Sequence, residues 1–228
     1  MKKLQYRHEL KHYINLSDYI AIRNRLGCIM RLDKNADENR EYLIRSLYFD
    51  NFQNKALREK IDGINHREKF RIRLYNNDAS FIRLEKKMKN NGLCAKVSAA
   101  ISKEECIRII NGDIDFLRNS DKPLFNELYI KMKNQFLRPK TIVDYTREAY
   151  VYKMGNVRIT FDKSIRTGIN SRNLFDENLT TVEVIDNRFI VLEVKYDNFL
   201  PEIIQDIIQV NERRATSVSK YVAARLYG

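Results

Sequence analysis

The chain has no tryptophan and only 7 glycines, 3 prolines, 3 cysteines and 3 histidines in 228 residues. With 43% hydrophobic residues, so little Gly and Pro excludes a disordered or low-complexity protein and favours a packed core. Cys28, Cys94 and Cys106 are odd in number, widely spaced and free of any C-x-x-C pairing. That excludes a disulfide framework and fits reduced thiols in a cytoplasmic protein. No apolar run approaches the ~20 residues that span a bilayer, and no signal-peptide core follows Met1. The expectation is a soluble, cytoplasmic protein.

Scarce histidine also limits metal chemistry. His8-Glu9-Leu10-Lys11-His12 matches H-E-x-x-H, but zinc-hydrolase chemistry requires that motif on a helix, with a third ligand elsewhere. Here the flanks alternate at period two and the remaining histidine is His66, so the zinc reading is rejected. A Walker-type glycine loop is absent as well.

Positive charge is abundant: 42 Lys+Arg against 30 Asp+Glu, a net +12. Such an excess favours an anionic partner, whether nucleic acid, lipid or phosphate-rich ligand. The charges are patterned. In Lys69-Phe70-Arg71-Ile72-Arg73-Leu74-Tyr75, in Arg83-Leu84-Glu85-Lys86-Lys87 and in Leu192-Glu193-Val194-Lys195-Tyr196 they alternate with apolar residues. Side chains of a strand alternate faces, so several such strands suggest one concave surface for a polyanion. Nucleic acid is disfavoured, because Glu85 and Glu193 interrupt the basic faces and the aromatics fall within core patterns. Carboxylates among arginines better suit a metal–phosphate site.

The periodicities predict an α+β chain without linker or repeat, hence a single domain over residues 1–228. Strands are expected over 6–14, 43–50, 69–75, 81–89, 141–152, 157–162, 181–185 and 189–196. Helices are expected after Ser17 or Asp18 up to Gly27, over 54–61, from Ser102, over 124–136, after Pro201 and over 217–226. Gly155-Asn156 reads as a hairpin turn. Asn91-Gly92 is the strongest hairpin signal; a two-residue turn there sets Lys87 opposite Lys96 and Glu85 opposite Ser98. Like charges directly opposite are destabilising, so the two lysines are expected to splay into solvent, to be held apart by water, or to be joined by an anion. Lys220, in the first turn of the last helix, opposes the helix dipole unless an anion binds there.

Taken in order, Arg7-His8-Glu9-Leu10-Lys11-His12-Tyr13, Ser46-Leu47-Tyr48-Phe49-Asp50-Asn51, Lys69 to Tyr75, Leu84-Glu85-Lys86-Lys87, Tyr145-Thr146-Arg147, Arg158 to Asp162, Leu192 to Lys195 and Ser219-Lys220-Tyr221 resemble the vacuolar transporter chaperone (VTC) domain. That domain is a polyphosphate-polymerase member of the triphosphate tunnel metalloenzyme (CYTH-like) superfamily. The resemblance implies a closed antiparallel β-barrel enclosing a charged tunnel, with helices outside and a C-terminal helix near one tunnel end. It implies a metal-dependent transfer of the terminal phosphate of ATP to a growing polyphosphate chain. The alternatives are a tripolyphosphatase or nucleoside triphosphatase using the same tunnel, and a non-catalytic polyphosphate-binding module. By the same motifs Lys11, Arg71, Arg73, Lys87, Lys96, Tyr145, Arg147, Arg158, Lys195 and Lys220 are expected at the phosphates. Of these, Arg71, Arg73, Lys87, Arg147 and Lys220 are expected to act in catalysis.

Glu193 is expected to hold Mn²⁺ or Mg²⁺, with the choice between Glu9 and Glu85 as its helper left open. The superfamily often begins with Glu-x-Glu-x-Lys, and Arg7 stands where the first glutamate would be. Eukaryotic relatives join this domain to a phosphate-sensing domain and membrane helices. This chain shows neither, so any coupling to translocation is expected either to come from a membrane partner protein or to be absent.

Overall fold

The computed structural model describes residues 4–209 and 217–227. Its strands are β1 His8–Ile14, β2 Arg31–Leu32, β3 Tyr42–Asp50, β4 Arg67–Tyr75, β5 Asp78–Asn90, β6 Leu93–Ile101, β7 Arg138–Tyr152, β8 Val157–Thr167, β9 Val182–Glu183 and β10 Ile190–Tyr196. Its helices are α1 Leu16–Ile29, α2 Lys55–Ile61, α3 Lys103–Asn111, α4 Pro123–Asn134, α5 Glu202–Ile208 and α6 Lys220–Leu226. None is long and apolar enough to cross a membrane.

The eight long strands form one antiparallel sheet in the order β1-β10-β8-β7-β3-β4-β5-β6, while β2 pairs β7 and β9 pairs β8. The sheet curls into a half-barrel. Its two edges meet at one bridge, where Arg7 and Cys94 exchange backbone hydrogen bonds of 2.9 and 2.8 Å. Among the described residues that bridge is the whole of the pairing between the edges, with no β1–β6 ladder beside it. The mixed α+β, curled antiparallel architecture is thus present, without the continuous seam of a closed barrel.

Alternation sorts the side chains between the two faces. The convex face carries Leu47, Phe49, Phe70, Ile72, Leu74 and Leu84, which pack under α3 and α4 through Cys106, Ile109, Phe125, Leu128 and Met132. Farther along the same convex face, α1 and α5 cover Tyr150, Ile159, Phe161, Leu192 and Val194 with Tyr19, Ile22, Leu26 and Ile204. Each large side chain buried this way contributes roughly 1.5–3 kcal/mol. The helices therefore lie outside, as expected. The concave face is apolar over part of its length, where Ile44, Val143, Tyr145, Ala149 and Val191 pack together. Elsewhere it is charged.

Several boundaries differ from the sequence expectation. Asn15 caps α1, accepting from Asp18 N at 2.8 Å, and Asp18 closes the capping box instead of serving as cap. The helix runs past Gly27 because no left-handed residue ends it; its C-cap, Met30, is extended. The 181–185 strand shrinks to Val182–Glu183. The expected hairpin turn at Gly155-Asn156 does join β7 to β8, with Tyr152 paired to Val157 across it, and it contains a 3₁₀ turn over Met154–Asn156 with φ of 69° and 50° at those two residues. Helix α6 begins at Lys220, not Ser217, because Ser219 caps it by accepting from Val222 N at 3.4 Å.

Two buried carboxylates anchor the helices around the sheet. The Asp50 carboxylate accepts from Asn51 N, Ala56 N and Leu57 N at 2.9, 2.9 and 3.2 Å, and from Tyr221 Oη at 2.6 Å. One buried carboxylate thus ties the start of α2 to α6. On the opposite side of the molecule, buried Glu148 accepts from Tyr19 and Tyr150 at 2.6 Å each and from Arg23 at 2.9 Å, pinning α1. The three cysteines are free.

Candidate functional site

The concave face holds a cavity of about 340 Å³ lined by eleven lysines and arginines but only three glutamates. Strand parity builds it: Glu9 and Lys11 from β1, Arg71 and Arg73 from β4, Lys87 from β5, Arg147 from β7, and Glu193 and Lys195 from β10 all line it. Lys220 and Tyr221 of α6 close one side. The Asn91–Gly92 turn has two residues, with φ of 45° and 84°, and pairs Asn90 with Leu93, Lys87 with Lys96 and Glu85 with Ser98, as the spacing predicts.

The outcome for the paired lysines differs from the expectation. Neither water nor a bound anion is needed to hold them apart, because each has its own carboxylate. Lys87 Nζ reaches Glu9 at 2.6 Å, whereas Lys96 Nζ reaches Glu85 at 2.6 Å.

Eight cations share four buried carboxylates on this face. Glu9 and Glu193 both contact Lys11, each at 3.3 Å, and both contact Lys195, at 3.8 and 3.1 Å. Burial and the neighbouring Glu193 raise the Glu9 carboxyl, but Lys87, Lys11 and Lys195 outweigh them and bring it to about 2. Burial likewise opposes ionisation of Glu193, yet Lys195, Lys11, Lys87 and Lys220 hold it well below the usual carboxylate range. The Lys195 ammonium falls to about 8, since burial and the surrounding cations exceed the help of Glu193 and Glu9.

Deeper in the sheet, Glu85 accepts from Arg71 Nε at 2.8 Å and Nη2 at 2.7 Å, with Arg73 at 3.9 Å. Asp162 accepts from Arg147 at 2.6 and 2.8 Å and from Lys220 at 2.5 Å. Tyr145 orients three of the cations: its hydroxyl accepts from Arg73 at 2.8 Å, and its ring lies under Arg147 and Lys220 at 5.3 and 4.8 Å.

Of the residues expected at the phosphates, Lys11, Arg71, Arg73, Lys87, Tyr145, Arg147, Lys195 and Lys220 share this cavity, with Glu193 among them. Two do not line it. The Lys96 ammonium is half exposed beyond Glu85. Arg158 turns to Asp33 and donates to Tyr42 Oη at 3.0 Å, away from the cavity.

Other residues that line the cavity or pair with its cations escaped the sequence reading. Lys69 has the parity of Arg71 and Arg73, and that signal was available. Asp162 stood inside a quoted motif without a role; only the register Arg147↔Asp162 explains it. Lys60 comes from α2, and no local pattern announces its position. The H-E-x-x-H segment is a strand, with His8 stacked on Tyr196 at 4.8 Å.

Comparison with known proteins now decides the family. The VTC domain profile matches residues 6–227. The chain belongs to the VTC domain family. No curated protein matches this VTC domain. Among solved structures, it resembles a Hippeastrum protein provisionally named an adenylyl cyclase and described as having a dominant triphosphatase activity. The identity is 13%, coverage 97% of this chain and 96% of that one, and the TM-score 0.53. A Bacillus halodurans protein provisionally named an adenylate cyclase shares 11% identity over 84% and 81% of the two chains, with a TM-score of 0.49. At such identity the likeness is one of fold.

A divalent metal fits the donors of this VTC domain in one place. No cluster of three His, Cys, Asp or Glu exists among the described residues. Glu9 and Glu193, however, are two buried carboxylates joined through Lys11 and Lys195. Mg²⁺ commonly takes one or two carboxylates and completes its shell with phosphate oxygens and water. Glu85 faces Arg71 instead, so the geometry sets Glu9, not Glu85, beside Glu193.

Proposed function

We propose that this chain is a metal-dependent polyphosphate polymerase that works as a single tunnel domain over residues 1–228. It moves the terminal phosphate of ATP onto an inorganic polyphosphate chain. The observation that carries the reading is the convergence of Arg71, Arg73, Arg147, Lys87 and Lys220 on one cavity beside the Glu9–Glu193 pair, in a chain of the VTC domain family.

Phosphoryl transfer depends on positioning and charge neutralisation more than on a side-chain nucleophile. Arg71, Arg73 and Arg147 would grip phosphate oxygens with charge-assisted hydrogen bonds, while Lys11, Lys87, Lys195 and Lys220 neutralise the chain. An oxygen of the acceptor chain bonds to the γ-phosphorus as the bond to the β-bridging oxygen breaks and ADP leaves with its electron pair. In the free protein Glu85 and Asp162 occupy the guanidinium forks of Arg71 and Arg147. Phosphates entering the cavity would share or take over those positions. Glu193 and Glu9 would hold Mn²⁺ or Mg²⁺, which would add charge neutralisation at the phosphate oxygens. Pairing of β1 with β6 beyond the Arg7–Cys94 bridge would complete the tunnel.

Hydrolysis is the second reading. The Hippeastrum protein with this fold is described by a dominant triphosphatase activity, and the same cations would stabilise attack by water. Incubating the purified protein with ATP and Mn²⁺ separates the readings. Long phosphate chains on a gel are the expected result; released phosphate alone would assign hydrolysis. Neither product, with tripolyphosphate still bound tightly, would leave a binding module.

A further inference from the structure

The cavity's cations fall into two groups. The inner ones each reach Glu9, Glu85, Asp162 or Glu193. Lys60 of α2, Arg67 and Lys69 of β4 and Lys89 of β5 also line the cavity, and none of these four is ion-paired with a carboxylate among the described residues. Lys60 donates to Ser217 Oγ, and Arg67 to the Ile64 carbonyl. Lys69 Nζ lies over the rings of Tyr48 and Tyr221 at 6.0 and 5.9 Å. Glu68, the acidic lining residue between Arg67 and Lys69 in sequence, is taken by Lys86 at 3.1 Å and by Lys131.

Register sharpens the point. Arg67 pairs with Lys89 and Lys69 with Lys87, so two rungs of the β4–β5 ladder set cation opposite cation. Like charges directly opposite are destabilising. Glu9 relieves Lys87 on one of these rungs, whereas Arg67, Lys69 and Lys89 have no carboxylate partner among the described residues. Arg67, Lys69, Arg71 and Arg73 share one face of β4 over roughly 20 Å at a strand's rise per residue. That row is longer than three linked phosphates reach.

We propose that Lys60, Arg67, Lys69 and Lys89 form a second anion subsite, which takes the phosphates of a linear polyphosphate beyond those held by Arg71, Arg73 and Arg147. The proposal rests on the phosphate-chain reading above and adds chain-length discrimination to it. It has a protonic consequence. The charged and titratable groups facing Lys69 are Tyr48 of β3, Lys87 of β5, Lys11 of β1, Tyr221 of α6 and Arg71 of its own strand. Burial, offset in part by Tyr48, together with Lys87, Lys11 and Arg71, lowers its ammonium to about 7. Burial with Arg67, Lys11, Lys89 and Lys87 lowers Lys60 to about 8. An anion among them restores the ammonium forms, so filling the subsite at pH 8 takes up protons.

The test is calorimetric titration at pH 8 of tripolyphosphate and of a linear polyphosphate several times its length, into the wild type and the Lys60→Met/Lys89→Met variant. The wild type should bind the longer chain at least about tenfold more tightly per chain; the variant should bind both alike, with tripolyphosphate affinity kept. In buffers of differing ionisation enthalpy, the wild type should take up more protons with the longer chain than with tripolyphosphate. This arm needs no variant. An unchanged preference in the variant, equal loss for both ligands, or equal proton uptake would overturn the subsite and leave the inner site standing. A wild type that binds neither ligand would overturn both readings.

Discussion

Glu85→Gln should destabilise the free protein by about 3–5 kcal/mol, the cost of leaving one partner of a buried ion pair without the other. Glu85 is 1% exposed and receives both Arg71 Nε and Nη2, with Arg73 at 3.9 Å. Glutamine preserves the shape and one acceptor oxygen but leaves two adjacent guanidinium groups without their charge. Lys96 adds little, because its side chain is 50% exposed and solvent screens it. For a chain of this size the loss corresponds to a fall in Tm of about 6–20 °C. Tripolyphosphate should return most of it, since its phosphates supply the missing negative charge to Arg71 and Arg73. The variant should therefore bind tripolyphosphate more tightly than the wild type and show the larger ligand-induced rise in Tm. Thermal melts with and without ligand, at fixed ionic strength, measure both quantities. A loss below about 1 kcal/mol, or the same ligand-induced rise in both proteins, would refute the view that Glu85 stands where phosphate charge is meant to sit.

Three further outcomes are expected. Glu193→Gln should keep much of the tripolyphosphate affinity while losing Mn²⁺-dependent turnover, read by binding and product assays on the same preparation; full turnover would remove Glu193 from metal binding. Asp50→Ala should cost about 3 kcal/mol, because the N–H groups of Ala56 and Leu57 and the Tyr221 hydroxyl lose a shared buried acceptor; a loss under 1 kcal/mol in urea unfolding would contradict the α2–α6 tie. Glu9 and Asp162 are both held at about 2, below unfolded values near 4. Their stabilisation is present above pH ~4 and should disappear as the pH falls toward 2, by about 2–3 kcal/mol per group; unfolding free energies flat between pH 5 and 2 would contradict it.

Period-two alternation in β4, β5 and β10 was enough to place Arg71, Arg73, Lys87, Glu193 and Lys195 on one face, because parity is a local property of a strand. The Asn91–Gly92 turn fixed the β5–β6 register for the same reason. Long-range pairings were not legible. Nothing near Lys87 announces that Glu9, 78 residues away, will meet it once the sheet curls. The closeness of Glu9 to Glu193 follows from β1 lying beside β10, with Lys11 opposite Glu193. Arg158 shows the limit of parity. It shares the face of Asp162 and stands opposite cavity-lining Lys195, yet its side chain turns to Asp33 and Tyr42 instead of the cavity. Lys60 enters from a helix whose placement depends on Asp50, a tertiary contact.

The most direct measurement is a calorimetric titration of tripolyphosphate into the wild type and into Arg71→Ala/Arg73→Ala. The wild type should bind with an affinity that weakens as salt rises, and the variant should show no measurable binding while remaining folded. Tripolyphosphate binding unchanged in the folded variant would mean that the row of arginines on β4 is not where the phosphates go.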